Sequence, residues 1–114
     1  MRSASDSVLG LIGLATKAGK TITGSEGCEL AIRNAKASLV ILATDTSENT
    51  RKPIIRLCGY HDMPMREFAS KEELGRYTGK LIRAIVVITD PGFAKKILEL
   101  IDSIKETEQE PRLE

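Results

Sequence analysis

The chain is short of the residues that most enzyme and membrane functions require. It has a single histidine, His61, and two cysteines, Cys28 and Cys58. No apolar run approaches the roughly 20 residues of a membrane span, and the opening MRSASDSV lacks the basic-then-apolar pattern of a signal peptide. A cytoplasmic protein with no membrane partner is therefore expected. In that compartment a disulfide is disfavoured, and each cysteine falls on the apolar stripe of a predicted helix, where a thiol acts as a small buried hydrophobe. The spacing Cys58-x-x-His61 offers too few ligands for a structural zinc site, so no metal is expected. Neither G-x-G-x-x-G nor G-x-x-x-x-G-K-[ST] occurs, which removes the usual glycine cradles for a dinucleotide or a nucleoside triphosphate.

Catalytic pairs are missing as well. Glu72 and Glu73 are neighbours on one predicted helix and face different ways, so they do not form a general acid and base pair. Ser25, Ser47 and Ser70 each have an explanation as helix caps, and the lone histidine has no evident partner serine or acid. No catalytic residue and no cofactor is assigned.

What is present is an alternation. Four times a short apolar stretch runs through a polar turn into a helix: TITG into SEGCELAI, VILATD into TSENTRKPI, REFA into SKEELG, and VVITD into PGFAKKIL. Strands that hand over to helices predict an α/β layered domain. Their loops place helix N-termini, with unpaired N–H groups and partial positive charge, where an anion can reach them. The 114 residues allow one domain, expected over 1–104. Residues 105–114, KETEQEPRLE, hold four acids and two bases and are expected to fray. They mask a modest basic excess in the domain behind a formal net charge of +1.

Periodicity fills in the elements. Val8, Leu11, Ile12 and Ala15 mark a helix over 5–17 that Gly19 ends in the left-handed conformation. A short strand over 20–23 leads to a second helix starting at Gly24 or Ser25, with Cys28, Ala31, Ile32 and Ala35 inward and Leu30 outward beside Glu26 and Arg33. The run 38–44 is apolar throughout and is expected at the sheet centre. The third helix carries Ile54, Leu57 and Cys58 inward, and Pro53 predicts that it begins near that residue or kinks there. A weaker strand over 63–68 reads as a sheet edge, because of Pro64 and the Arg66–Glu67 pair. Ser70 and Glu73 form a capping box, and Gly79 closes the helix that follows. A second buried strand over 84–89 precedes Asp90, which caps a last helix with Pro91 in its first turn and Phe93, Ile97, Leu100, Ile101 and Ile104 inward.

Two loops carry the functional signal. Gly24-Ser25-Glu26-Gly27 is a compact turn entering a helix, preceded by Lys17 and Lys20, whose glycines allow another backbone close approach. RYTGKLIR places Arg76, Lys80 and Arg83 around the apolar Leu81 and Ile82, which suits phosphate contact together with packing on an unstacked base.

The order KAGKTITGSEGCELAIRNAKASLVILATDTSENTRKPI, then SKEELGRYTGK and a strand, resembles the ribosomal-protein superfamily of L-seven-Ae and L-thirty-e, in particular its small bacterial YlxQ-like members. The resemblance covers roughly Val8 to Ile101. It implies a three-layer α-β-α sandwich with a mixed four-stranded sheet, and a non-enzymatic RNA binder of the kind that recognises kink-turns, where a duplex bends sharply beside tandem sheared G·A pairs.

In that family the recognition helix begins Gly-Thr-Asn-Glu, with a lysine three residues after the Glu, and the loop before the last strand packs apolar side chains on an extruded base. Here Gly24 matches the glycine and Ser25 the threonine. Glu26 stands at the Asn position, Gly27 at the Glu position and Leu30 at the Lys position. Lys80, Leu81 and Ile82 align with an apolar-acidic-apolar triplet, so Ile82 is the base-packing candidate, and Lys80 and Arg83 add positive charge. The expected surface is thus Lys20, Gly24, Ser25, Glu26, Gly27 and Leu30 with Lys80, Leu81, Ile82 and Arg83. The expected partner is structured RNA, with ribosomal RNA among the candidates, bound by a monomer. The outward Leu30 also admits a protein partner on its face, as a module that has kept the scaffold without specific RNA readout.

Overall fold

SLVILAT and AIVVIT form the strands β2 (Leu39–Leu42) and β4 (Ile85–Ile88), buried at every residue, as continuously apolar strands require. The computed structural model describes residues 3–109. Around this pair lie α1 (Ala4–Lys17), β1 (Thr21–Thr23), α2 (Ser25–Arg33), α3 (Glu48–Tyr60), β3 (Met65–Glu67), α4 (Lys71–Tyr77) and α5 (Pro91–Gln109). The sheet order is β1-β4-β2-β3. Strand β4 is antiparallel to both its neighbours, while β2 and β3 are parallel, so the sheet is mixed. The central position of β2 and the edge position of β3 agree with the sequence reading.

Alternation along the buried strands sends their side chains to two cores. Leu39, Ile41, Val86 and Ile88 meet α1, α4 and α5 through Val8, Ile12, Leu74, Ile97 and Ile101. Val40, Leu42, Ile85 and Val87 meet α2 and α3 through Cys28, Ile32, Ile54 and Cys58. The three-layer α-β-α sandwich is therefore present. The two cysteines sit in the second core as hydrophobes, and burial pushes the Cys28 thiol up to about 12 and the Cys58 thiol to about 11. Neither is a thiolate at neutral pH, so neither acts as a nucleophile. Edge strand β3 is tied to the helical layers by Arg66, whose guanidinium donates to both carboxylate oxygens of Asp102 at 2.7 and 3.2 Å, and by an Arg51–Glu67 ion pair. The Arg66 contact holds the Asp102 carboxyl below its ordinary range.

Several boundaries differ from the sequence reading. Ala35 is not on the buried stripe of α2. That helix ends at Arg33, and Ala35 is exposed at φ 58° in the turn that follows. Ser25 is the first helical residue and Gly24 the cap, while Ser47 caps α3 by position, its hydroxyl donating to Thr50 Oγ1 at 3.4 Å instead of accepting from a helix amide. Lys20 lies just before β1. Helix α5 continues to Gln109 instead of stopping near Ile104, and the rest of the charged tail, 110–114, lies outside the described residues.

The largest difference is at Pro53. Helix α3 starts five residues earlier, at Glu48, and runs through the proline. Two features make this tolerable. The first turn closes before the proline, with the Thr50 and Arg51 amides donating to the Ser47 carbonyl at 3.1 and 2.8 Å. The acceptor that Pro53 leaves unused belongs to exposed Asn49, where water can take its place. Replacing Pro53→Ala restores that bond and is expected to raise the unfolding free energy by about 1–3 kcal/mol. The check is a urea titration, and an unchanged midpoint would mean that 48–52 is not helical in solution.

Candidate nucleic-acid interface

The reversal of β4 decides which loops meet. Thr23 pairs with Val86 and Leu42 with both Ile85 and Glu67, so β1, β2 and β3 all finish at the end of the sheet where β4 begins. That rim gathers the starts of α2, α3 and α4 together with the segment 79–84. The two loops singled out in the sequence are therefore neighbours. A direct bond joins them: Arg83 Nε donates to Thr23 Oγ1 at 3.2 Å, immediately before Gly24. A second guanidinium nitrogen donates to the Ile82 carbonyl at 2.9 Å, which fixes the direction of the arginine.

The start of α2 is open. Gly24 has φ 90°, a left-handed value that only glycine adopts without strain, and beyond its own chain neighbours no atom lies within 4 Å of where its Cβ would be. No side chain caps this helix, whereas Ser3 caps α1 and Ser70 caps α4, each in a reciprocal box with the acid three residues on. The first amides of α2 are thus left for an external acceptor. Ser25, Glu26 and Gly27 are all exposed. Gly27 also lies close to β1, since a Cβ there would come within 3.1 Å of Ile22 Cγ2. One turn further on, Leu30 is 57% exposed beside a notch formed with Ile22, Ala31 and Asn34.

On the facing loop Leu81 is 90% and Ile82 57% exposed, and Lys80 is exposed beside them. Two large apolar side chains held out in water lose the stabilisation that burial would give, roughly 1.5–3 kcal/mol each. They are available for contact. Arg83 is partly buried and committed to Thr23, which leaves Lys80 as the extended cation of this loop.

One predicted residue falls apart from the rest. Lys20 stands at the far end of β1, where its carbonyl accepts from the Thr89 amide, about 13 Å along the strand from Gly24. The structure brings together Gly24, Ser25, Glu26 and Gly27 with Lys80, Leu81, Ile82 and Arg83, sets Leu30 one turn down α2, and leaves Lys20 outside.

Gly75 is a residue that sequence reasoning passed over. It is buried in α4, and a Cβ on it would lie 2.4 Å from the Leu81 oxygen, 2.6 Å from the Leu81 carbon and 2.8 Å from the Ile82 nitrogen. The backbone that presents Leu81 and Ile82 therefore rests directly on this glycine, and the Lys80 amide donates to its carbonyl at 2.7 Å. A glycine inside a helix of seven residues costs about 1 kcal/mol relative to alanine, and that cost was the available signal. Asp45 adds a further tie, accepting from the Lys71 amide at 2.9 Å, while the Arg83 amide donates to the Lys71 carbonyl at 3.0 Å.

Comparison with known proteins bears on the family and the fold. The family model described as the ribosomal protein L7Ae/L30e/S12e/Gadd45 family matches residues 6–98. The chain is 42% identical over 92 residues to the RNA-binding protein YlxQ of Bacillus subtilis, a match covering 81% of this chain and 92% of the relative. It is 46% identical over 94 residues to the RNA-binding protein YlxQ of Enterococcus faecium, covering 82% and 90%. Among solved structures, a protein of unknown function from Bacillus halodurans superposes with a TM-score of 0.81 at 36% identity, covering 83% of this chain and 96% of that one. The 15.5kD RNA binding protein of Giardia lamblia shares the fold, with a TM-score of 0.76 at 18% identity over 93% of this chain and 91% of that one. No helix among the described residues is long and apolar enough to cross a membrane.

Gly75→Ala is expected to displace 80–83, because the atoms it meets are backbone, and to destabilise the fold by about 1–3 kcal/mol despite the better helix propensity of alanine. Amide spectra and a denaturant titration check this. Unmoved Leu81 and Ile82 amides would show that the loop is not seated on Gly75.

Proposed function

The chain belongs to the ribosomal protein L7Ae/L30e/S12e/Gadd45 family, and on that basis we propose that it is a non-enzymatic, cytoplasmic RNA-binding protein of the ribosomal type that recognises structured, kink-turn-like RNA. The observation that carries this reading is the Arg83–Thr23 bond, which sets an uncapped helix start beside an exposed apolar pair. The α2 amides and Lys80 suit phosphate oxygens, and Leu81 and Ile82 suit the face of a base turned out of its stack. Glu26 accepts hydrogen bonds only, so its natural contacts are amino or imino groups on base edges. The names of the Bacillus subtilis and Enterococcus faecium relatives give independent support for RNA as the ligand.

The test is a titration against a short kink-turn duplex and a control in which Watson–Crick pairs replace the sheared G·A pairs. Preference for the kink-turn by about 10-fold, or ~1.4 kcal/mol, is expected. Lys80→Glu should weaken binding and reduce the slope of log K against log salt by about one phosphate contact or more. Equal binding to both RNAs removes the structural specificity, and an unchanged salt slope removes Lys80 from the surface.

A second reading, a protein-interaction module on the same scaffold, is favoured by one observation: Leu30 stands exposed beside its notch where the family has a lysine. Leu30→Lys separates the two. On the RNA reading the new cation tightens kink-turn binding several-fold at low salt. On the protein reading the fold and RNA affinity stay as they were and a protein partner is lost.

A further inference from the structure

A second surface lies on the outer layer between α2 and α3, in an open groove of about 440 Å³ lined by Glu29, Arg33, Pro53, Arg56, Leu57 and Tyr60. Tyr60 is 86% exposed, so it gives the fold little packing, and its ring stands edge-on to His61 at a centroid distance of 5.1 Å. Arg33 and Arg56 are exposed, and neither forms an ion pair among the described residues, whereas Arg51, Arg66 and Arg76 each do. Glu29 is the one acid lining the groove. The groove thus presents two uncommitted guanidinium planes and an aromatic ring beside Pro53 and Leu57.

We propose that this groove binds unpaired nucleotides of RNA continuing from the rim, as a second contact beyond the structured site. The inference rests on the proposed RNA-binding function. Helices α2 and α3 both start at the rim and run away from it side by side. Lys52, Arg56 and Tyr60 follow one another at four-residue spacing, a stripe about 12 Å long that begins in the second turn of α3. A strand leaving the rim along this stripe meets cations for its phosphates and a ring for its bases, the combination that holds single strands without strict sequence readout. With Pro53 and Leu57 as its only aliphatic lining residues, the groove does not offer the i, i+3, i+4, i+7 apolar stripe that an amphipathic helix of a protein partner requires.

The experiment compares the kink-turn RNA with and without a tail of about six uridines on either strand end, a length within the range of known single-strand sites. For the native protein one of the tails is expected to tighten binding by about 10-fold, at unchanged affinity for the tailless RNA. That gain should vanish in Tyr60→Ala, which leaves the charge unaltered, and in the double variant Arg33→Gln with Arg56→Gln. Both variants alter exposed side chains and should bind tailless RNA as the native protein does. The inference is overturned if neither tail adds affinity, or if the gain survives Tyr60→Ala. If the native protein fails to bind even the tailless RNA, the proposed function falls and takes this inference with it, which distinguishes the two failures.

Discussion

Strand β4 lies between β1 and β2 and runs against both, with Val86 opposite Thr23 and Ile41, and Ile85 opposite Leu42. Had β4 been parallel to its neighbours, the loop that enters it would have opened at the far end of the sheet, away from Gly24. The reversal brings the turn after β1 and the loop before β4 onto one rim, although they are separated by some fifty residues of sequence. It is held by eight buried residues of β2 and β4, at roughly 25 cal/mol for each Å² of apolar surface removed from solvent. Sliding either strand by one residue would turn Ile41 and Val86 into the layer that now holds Leu42 and Ile85, so the register is fixed by both cores at once.

The rim is rigid for a different reason: its loops use one another's polar groups. Arg83 donates its side chain to Thr23 and its amide to the Lys71 carbonyl, Asp45 accepts from the Lys71 amide, and the Ala43 amide donates to the Ala84 carbonyl. Beneath them Gly75 lets the 79–84 segment approach a helix more closely than any side chain would permit. Exposed Leu81 and Ile82 therefore stand on a backbone anchored at Gly75 and at Arg83. Less conformational entropy remains to be lost when they meet a ligand.

The elements most legible in the sequence were those whose signal is local. Strands β2 and β4, the Ser70–Glu73 capping box, the left-handed closures at Gly19 and Gly79 and the outward Leu30 are each written in a few adjacent residues, and each is found as read. The misreadings share another cause. Whether Pro53 ends a helix depends on whether the turn before it is held from outside, and Glu67 on β3 does so through Arg51. Whether Lys20 and Gly24 act together depends on which way β1 carries them, and they face opposite ends of the sheet. The role of Gly75 depends on a backbone six residues away in sequence that folds back over it. The rim candidates were legible as loops, but their adjacency came only from strand pairing.

Charge alone is a poor guide to what this rim prefers. Glu26 lies in the first turn of α2, where a carboxylate is favourable to its own helix by about 0.3–1 kcal/mol and weakens the pull of that terminus on an outside anion. Arg83 spends its guanidinium on Thr23 and on a carbonyl, so of the loop's two cations only Lys80 remains extended. A surface built for phosphates alone would not place a carboxylate at its helix start or leave two large apolar side chains exposed. The same set becomes consistent if the ligand offers hydrogen-bond donors on base edges to Glu26, a base face to Leu81 and Ile82, and only a few phosphates to Lys80 and the α2 amides. On the proposed RNA reading, such a ligand would be a distorted helix with an unstacked base, because a regular A-form duplex keeps its base faces stacked and would leave Leu81 and Ile82 against sugar, phosphate and water.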